Sequence, residues 1–190
     1  MKAFPKFDYQ GSEYDLTHLT AFSCDYIQPA KSDGTAEKRY RCIIEFSSHC
    51  FTRGENKRKG EKLSDVEPAL HYVTAKETRI FCFERYQVSK MLPQIMREIS
   101  RSKCYFASAD DKFLTISVTD KNGKKVDYEI YFSLQRAKSP KHDVHIYINS
   151  AYIRDKDYKE NHGTTVRRKP VGFFVLLHNT LVNKRIKRPK

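Results

Sequence analysis

A carboxylate and an imidazole on one face of neighbouring strands are the residues best placed to do chemistry in this sequence. Glu129 stands in the alternating run Lys125 to Gln135, and His145 in the run Asp143 to Tyr152; both fall on the polar side of the alternation. Such a pair can serve as general base and general acid in metal-independent RNA cleavage, where a 2′-hydroxyl attacks the adjacent phosphate. Tyr131 and Tyr147 share that face and can stack on bases, while Arg136, Lys138, Lys141 and Arg154 at its edges can hold phosphates. Against this stands a plainer reading, in which Glu129 and His145 are solvent-facing residues of a half-buried sheet and another element covers the two tyrosines.

A second constellation lies upstream. His49, Thr52 and Arg53 close a strand-like run, and Arg79 and Arg85 bracket another. Together they suit oxyanion or phosphate contact at a strand end. The alternatives are capping for His49 to Arg53, and pairing of Arg79 and Arg85 with Glu77 and Glu84, the commoner fate of such charges. Adjacent residues on an extended chain point to opposite faces, so a nucleophilic Cys50 would need an imidazole other than His49, such as His71. Cys24, Cys42, His71 and Cys82 lack the paired short spacings of zinc sites. Neither a metal nor a cofactor is expected.

Composition favours a particular class of partner. The 190 residues carry 36 Lys and Arg against 23 Asp and Glu, a net charge of +13, and 13% of them are aromatic. That aromatic content argues for a folded chain rather than a disordered polycation. A basic, folded, tyrosine-rich chain is the electrostatic footprint of a phosphate-rich partner, and nucleic acid, with RNA favoured, is the first expectation. A regulatory subunit that meets a protein partner through a basic surface is the rival from a different class. Five cysteines without a CxxC pair read as reduced thiols, three of them (Cys42, Cys82 and Cys104) in apolar runs. The start lacks the apolar core of a signal peptide, and the run Val171 to Leu177 is too short to cross a bilayer. A cytoplasmic protein without a membrane partner is expected.

The elements that must position these residues follow from periodicity. Phe113 to Thr119, Lys125 to Gln135 and Asp143 to Tyr152 alternate as strands. Leu114, Ile116, Val118, Val126, Tyr128, Ile130, Phe132, Leu134, Val144, Ile146 and Ile148 fall on the core face. Asn122-Gly123 accepts the positive φ of a tight hairpin, which makes the connection antiparallel, and Ala109 to Asp111 reads as another turn. Val88, Met91, Leu92, Ile95, Met96 and Ile99 recur at helical spacing, and Pro93 should kink or split that helix. The expected architecture is a single α+β domain over 1-190, with an antiparallel sheet of about five strands on one kinked helix or helix pair. Within it, 1-38 would be an irregular arm and loop, 39-83 strands with a mobile basic loop around Lys57, 84-100 the helix, 103-178 the sheet ending in a strand from Val171 to Leu177, and 184-190 a basic tail.

Two resemblances sit beside this reading. A helical layer followed by an antiparallel sheet with acid, base and arginines on its open face is similar in architecture to the ribonuclease superfamily of barnase and the RelE-type toxins. No linear motif carries that likeness. The segments Phe4 to Tyr9, His49 to Arg53, Glu77 to Tyr86 and Ser150 to Asp155 resemble small bacterial proteins catalogued as stationary-phase growth adaptation proteins. This second resemblance spans nearly the whole chain and implies a bacterial cytosolic setting and one undivided unit, without an established activity to carry over.

Overall fold

The computed structural model describes residues 3–30, 32–57, 59–107, 112–119, 125–153 and 169–187, with side chains described for all of these except 112–119 and 125–127. Its strands are β1 (Phe7–Tyr9), β2 (Ser12–Tyr14), β3 (Phe22–Gln28), β4 (Lys38–Phe46), β5 (Thr52–Arg53), β6 (His71–Val73), β7 (Thr78–Phe81), β8 (Lys103–Phe106), β9 (Lys112–Thr119), β10 (Lys125–Arg136), β11 (Val144–Ile153) and β12 (Val171–Gly172). The helices among the described residues are α1 (Phe83–Ser89), α2 (Leu92–Glu98) and α3 (Phe173–Leu181).

The main sheet has seven strands in the order β12-β8-β9-β10-β11-β4-β3. The α+β class and the antiparallel β8 to β11 meander match expectation. Three features differ. The sheet exceeds five strands because β4 adds to β11 in parallel, Val144 opposite Cys42 and Ile148 opposite Phe46. The N-terminal segment is not an irregular arm: β1 and β2 form a hairpin through Gln10 and Gly11, both at positive φ, and β3 is an edge strand of the main sheet. Thirdly, the run after Gly172 is helix rather than strand. Phe173, Leu176 and Leu177 are its buried positions, and this spacing of three and four marks a helical stripe that a continuous apolar run conceals. Asn183, at φ 54, ends the helix in the left-handed region.

Pro93 does split the helical stretch, standing in the first turn of α2 while α1 stops at Ser89. Tyr128, Ile130, Phe132, Val144, Ile146 and Ile148 are all buried on the core face. Over that face, Tyr26 of β3 donates its hydroxyl to the Met96 carbonyl of α2 and meets the Phe173 ring of α3 at 4.9 Å. Phe174 lies 6.1 Å from Tyr40. The second layer is therefore α2 and α3 together, not one kinked helix alone.

A satellite sheet, ordered β5-β7-β6, joins the core through aromatic rings. Phe51 is fully buried, 5.0 Å from Phe4 and 4.9 Å from Tyr72, and Phe7 stacks on Phe81 at 4.0 Å. The basic loop after Arg53 is a built turn: Asn56 bridges to Glu61, and Glu61 accepts both terminal nitrogens of Arg53. All five cysteines are free thiols; Cys24 and Cys42 stand opposite one another in the β3–β4 register. The turn at 109–111, Asn122-Gly123, and the side chains of Leu114, Ile116, Val118 and Val126 lie outside what is described.

Candidate nucleic-acid interface

Register decides which of the expected site residues meet. Gln135 pairs with His145, whereas Glu129 pairs with Tyr152. The six positions from Glu129 to Gln135 correspond to about 20 Å of strand. Glu129 and His145 therefore share a face but do not come together, and the acid–base pair expected of them is corrected. Part of the reason is a bulge in β11: Tyr131 faces Ser150 and Phe132 faces Ile148, leaving Asn149 as the extra residue. The bulge keeps Ile148 and Ala151 both inward, an arrangement strict alternation cannot produce.

Each half of this face has its own environment. Glu129 is only 2% exposed and accepts a 2.6 Å hydrogen bond from the Tyr131 hydroxyl. The Tyr131 ring stacks on Tyr152 at 5.7 Å, and burial, then the bond to Glu129, raises its pKa. His145 lies with Nδ1 2.8 Å from the Gln135 amide and Nε2 2.9 Å from Glu45. That second approach is close without being aligned as a hydrogen bond, for Nε2 is buried without a hydrogen-bond partner. Tyr147 is half-buried beside it, ring centroids 6.2 Å apart. Tyr131 and Tyr147 are thus neither fully open nor fully core. Arg154 lies outside the described residues.

The upstream constellation is assembled, but its arginines are engaged with the protein itself. Arg53 holds Glu61. Arg79 donates from Nε to Thr52 Oγ1 at 2.8 Å and from Nη1 to Glu77 at 3.2 Å. Arg85 donates from Nη1 to the carbonyls of His49 (3.2 Å) and Thr52 (2.9 Å), and its guanidinium lies 4.8 Å from the Tyr152 ring. His49 Nε2 stands 2.7 Å from Glu77. Burial opposes ionisation of Glu77, but the hydrogen bonds from His49 and Arg79 outweigh it and hold the carboxyl below its ordinary value. The described residues of the four segments that carry the resemblance meet here, with Phe4 on Phe51, Phe7 on Phe81 and Arg85 over Tyr152.

An open basic cleft lies at the other end of the main sheet. It has a volume of about 320 Å³, and Arg41, Arg136, Lys138, His142, Asp143 and Leu181 are among the residues that line it. Because β4 and β11 run parallel, the start of β4 (Lys38 to Arg41) and the connection before β11 arrive at one end. The antiparallel β10 finishes there at Arg136. The C-terminus of α3 arrives as well: Lys38 Nζ is 3.1 Å from His178 Nδ1, and Lys184, Arg185 and Lys187 follow in exposed positions. Of the expected phosphate ligands, Arg136 and Lys138 line the cleft, and Lys141 is exposed in the same loop.

Acidic groups at this end are already neutralised in part. Asp25 pairs with Arg39. Asp143 accepts from the Arg41 backbone N–H at 2.8 Å and from its Nη2 at 2.8 Å. The hydrogen bond from the Arg41 side chain, chiefly, holds the Asp143 carboxyl below its ordinary 3.8. A depressed folded-state pKa contributes stability above the unfolded-state value and loses it as pH falls through the folded-state value. Asp143→Asn is accordingly expected to lower the urea midpoint more at pH 7 than at pH 2. Equal shifts at both pH values would mean that the pair contributes nothing through its charge.

Sequence reasoning missed Arg41 and Leu181 as members of this cleft. Their signal is weak, since parallel pairing between β4 and β11 leaves no local mark and α3 reads as a strand. The class these features define is a basic α+β protein with a cationic cleft at the end of its central sheet. Comparison with known proteins makes this more particular: the chain belongs to the YjaZ family, whose model matches residues 6–181. It is similar to Protein YjaZ of Escherichia coli (strain K12), with 28% identity over 180 residues, covering 94% of this chain and 90% of that one. No solved structure matches. No helix among the described residues is long and apolar enough to cross a membrane.

Proposed function

We propose that this protein binds nucleic acid, RNA in preference, through the basic end of its central sheet. The observation that carries the reading is the meeting, in one cleft, of Arg41 from β4, the loop Arg136 to His142 and Leu181 at the end of α3, with Lys38 beside the same helix at His178. Arg136, Lys138 and Lys141 have no carboxylate partner among the described residues, so their charge is available to phosphates. The sheet gives the cations a rigid base; Arg136 ends a twelve-residue strand. A cytoplasmic setting and a part in stationary-phase growth belong to the same proposal, and the resemblance of four segments to growth adaptation proteins supports them.

Binding without cleavage is favoured over a toxin-type ribonuclease, because Glu129 and His145 are separated along the strands. Incubating the pure protein with labelled total RNA in EDTA separates the two: retention on a filter with full-length RNA recovered is the expected result. Shortened RNA, lost in Glu129→Gln or His145→Ala, would reverse the preference. Absence of any retention at physiological salt would favour the regulatory subunit that meets a protein partner.

A further inference from the structure

The cleft differs from a flat basic strip in ways that narrow its ligand, and this step rests on the nucleic-acid reading above. Its walls are fixed before any ligand arrives. Ala137 donates its backbone N–H to the Asp143 carbonyl at 3.0 Å, His142 to Ser139 at 3.2 Å, and Asp143 to the Arg41 carbonyl. His142 Nε2 lies 2.8 Å from Ser23 Oγ, tying the loop to β3. The connection between β10 and β11 is thus held to the sheet at both ends, as a preformed site requires.

Size and charge then select. A volume of about 320 Å³ is at the small end of the range for small-ligand clefts, about 300–1,000 Å³. It is of the order of one nucleotide unit and too small to enclose a duplex. The guanidinium of Arg41 is committed to Asp143, which leaves Arg136 and Lys138 as the uncompensated cations of the lining among the described residues. Two positive charges facing one concavity match a phosphate monoester, which carries about −1.5 to −2 at neutral pH, better than a backbone diester with a single charge. Arg136 can further engage a terminal phosphate with two parallel N–H···O bonds, and Leu181 supplies an apolar wall against which a sugar or base can rest.

We propose that the Arg136–Lys138 cleft is a subsite for a phosphate monoester at the end of an RNA strand. The probes are one oligoribonucleotide sequence in three forms, with hydroxyls at both ends, with a 5′-phosphate and with a 3′-phosphate, measured by fluorescence anisotropy against the full chain. One phosphorylated form is expected to bind about tenfold tighter than the hydroxyl form, equivalent to about 1.4 kcal/mol, and which one it is identifies the end recognised. Inorganic phosphate in excess should abolish the difference. In Arg136→Ala/Lys138→Ala the ratio should fall to one, while Lys76→Ala, on the exposed turn between β6 and β7, should retain it. Equal binding of the three forms would overturn the subsite and leave the basic interface standing. Survival of the preference in the double variant would also overturn it, as an effect of added charge elsewhere. Failure of all three forms to bind would remove both this inference and the reading beneath it.

Discussion

Phe51→Ala is expected to lower the unfolding free energy by about 3–5 kcal/mol, the range for deleting a buried aromatic ring and leaving a cavity. Phe51 is the keystone between the satellite sheet and the core. It is fully buried and meets Phe4 edge-on at 5.0 Å, Tyr72 edge-on at 4.9 Å and Phe81 at 6.1 Å. Its own backbone carbonyl accepts the N–H of Cys82 at 3.1 Å, so β5 and the start of α1 are tied through the same residue. Rings that contact others from three sides have little freedom to collapse into the void, which places the cost high in the range. Urea denaturation followed by tyrosine fluorescence measures it. A loss under 1 kcal/mol would mean that the N-terminal segment does not pack on Phe51 as described.

Arg85→Leu is expected to cost about 2–4 kcal/mol: a buried acceptor left without a donor loses about 1–3 kcal/mol, two carbonyls are affected, and because both bonds are only partly buried the sum falls in the lower part of that doubled range. The carbonyls of His49 and Thr52 both accept from Arg85 Nη1, and His49 belongs to the short helical turn Ser48–Cys50. Stacking over Tyr152 adds to the loss. Arg85→Lys should recover part of the stability, since an ammonium can reach a carbonyl but cannot lie flat on the ring. If leucine and lysine variants unfold at the same urea concentration as the parent, Arg85 is not a structural donor and is free to act as a ligand.

The strands of the main sheet were legible because one of their faces is buried and the other is not. Alternation in Val144, Ile146 and Ile148 and in Tyr128, Ile130 and Phe132 is a direct imprint of that asymmetry. Pro93 was legible for a similar reason: it lacks a donor wherever it stands. What could not be read depended on partners distant in sequence. The pairing of Cys42 with Val144 spans about a hundred residues, and nothing in Lys38 to Phe46 states whether its neighbour runs parallel or antiparallel. The segment Phe173 to Leu181 carries apolar residues on nearly every position at its start, so strand and helix share one signature there.

The candidate site was legible in its composition and not in its geometry. Arg136, Lys138 and Lys141 follow from a basic loop at a strand end, and the structure brings Arg136 and Lys138 into one cleft with Arg41 and Leu181. Glu129 and His145 were paired by face alone, and a face holds no information on distance along the strand. His49, Thr52, Arg53, Arg79 and Arg85 do form a cluster, yet each arginine in it already has partners within the protein.

The salt dependence of RNA binding, compared between the parent chain and Arg136→Ala/Lys138→Ala/Lys141→Ala, tests the basic interface most directly. Each phosphate contact on a single strand contributes about −0.7 to the slope of log K against log salt, so removing three contacts should flatten it by about 2 units. Weaker binding with that flatter slope is the predicted result. Two parallel lines would contradict the interface and move the search to another surface.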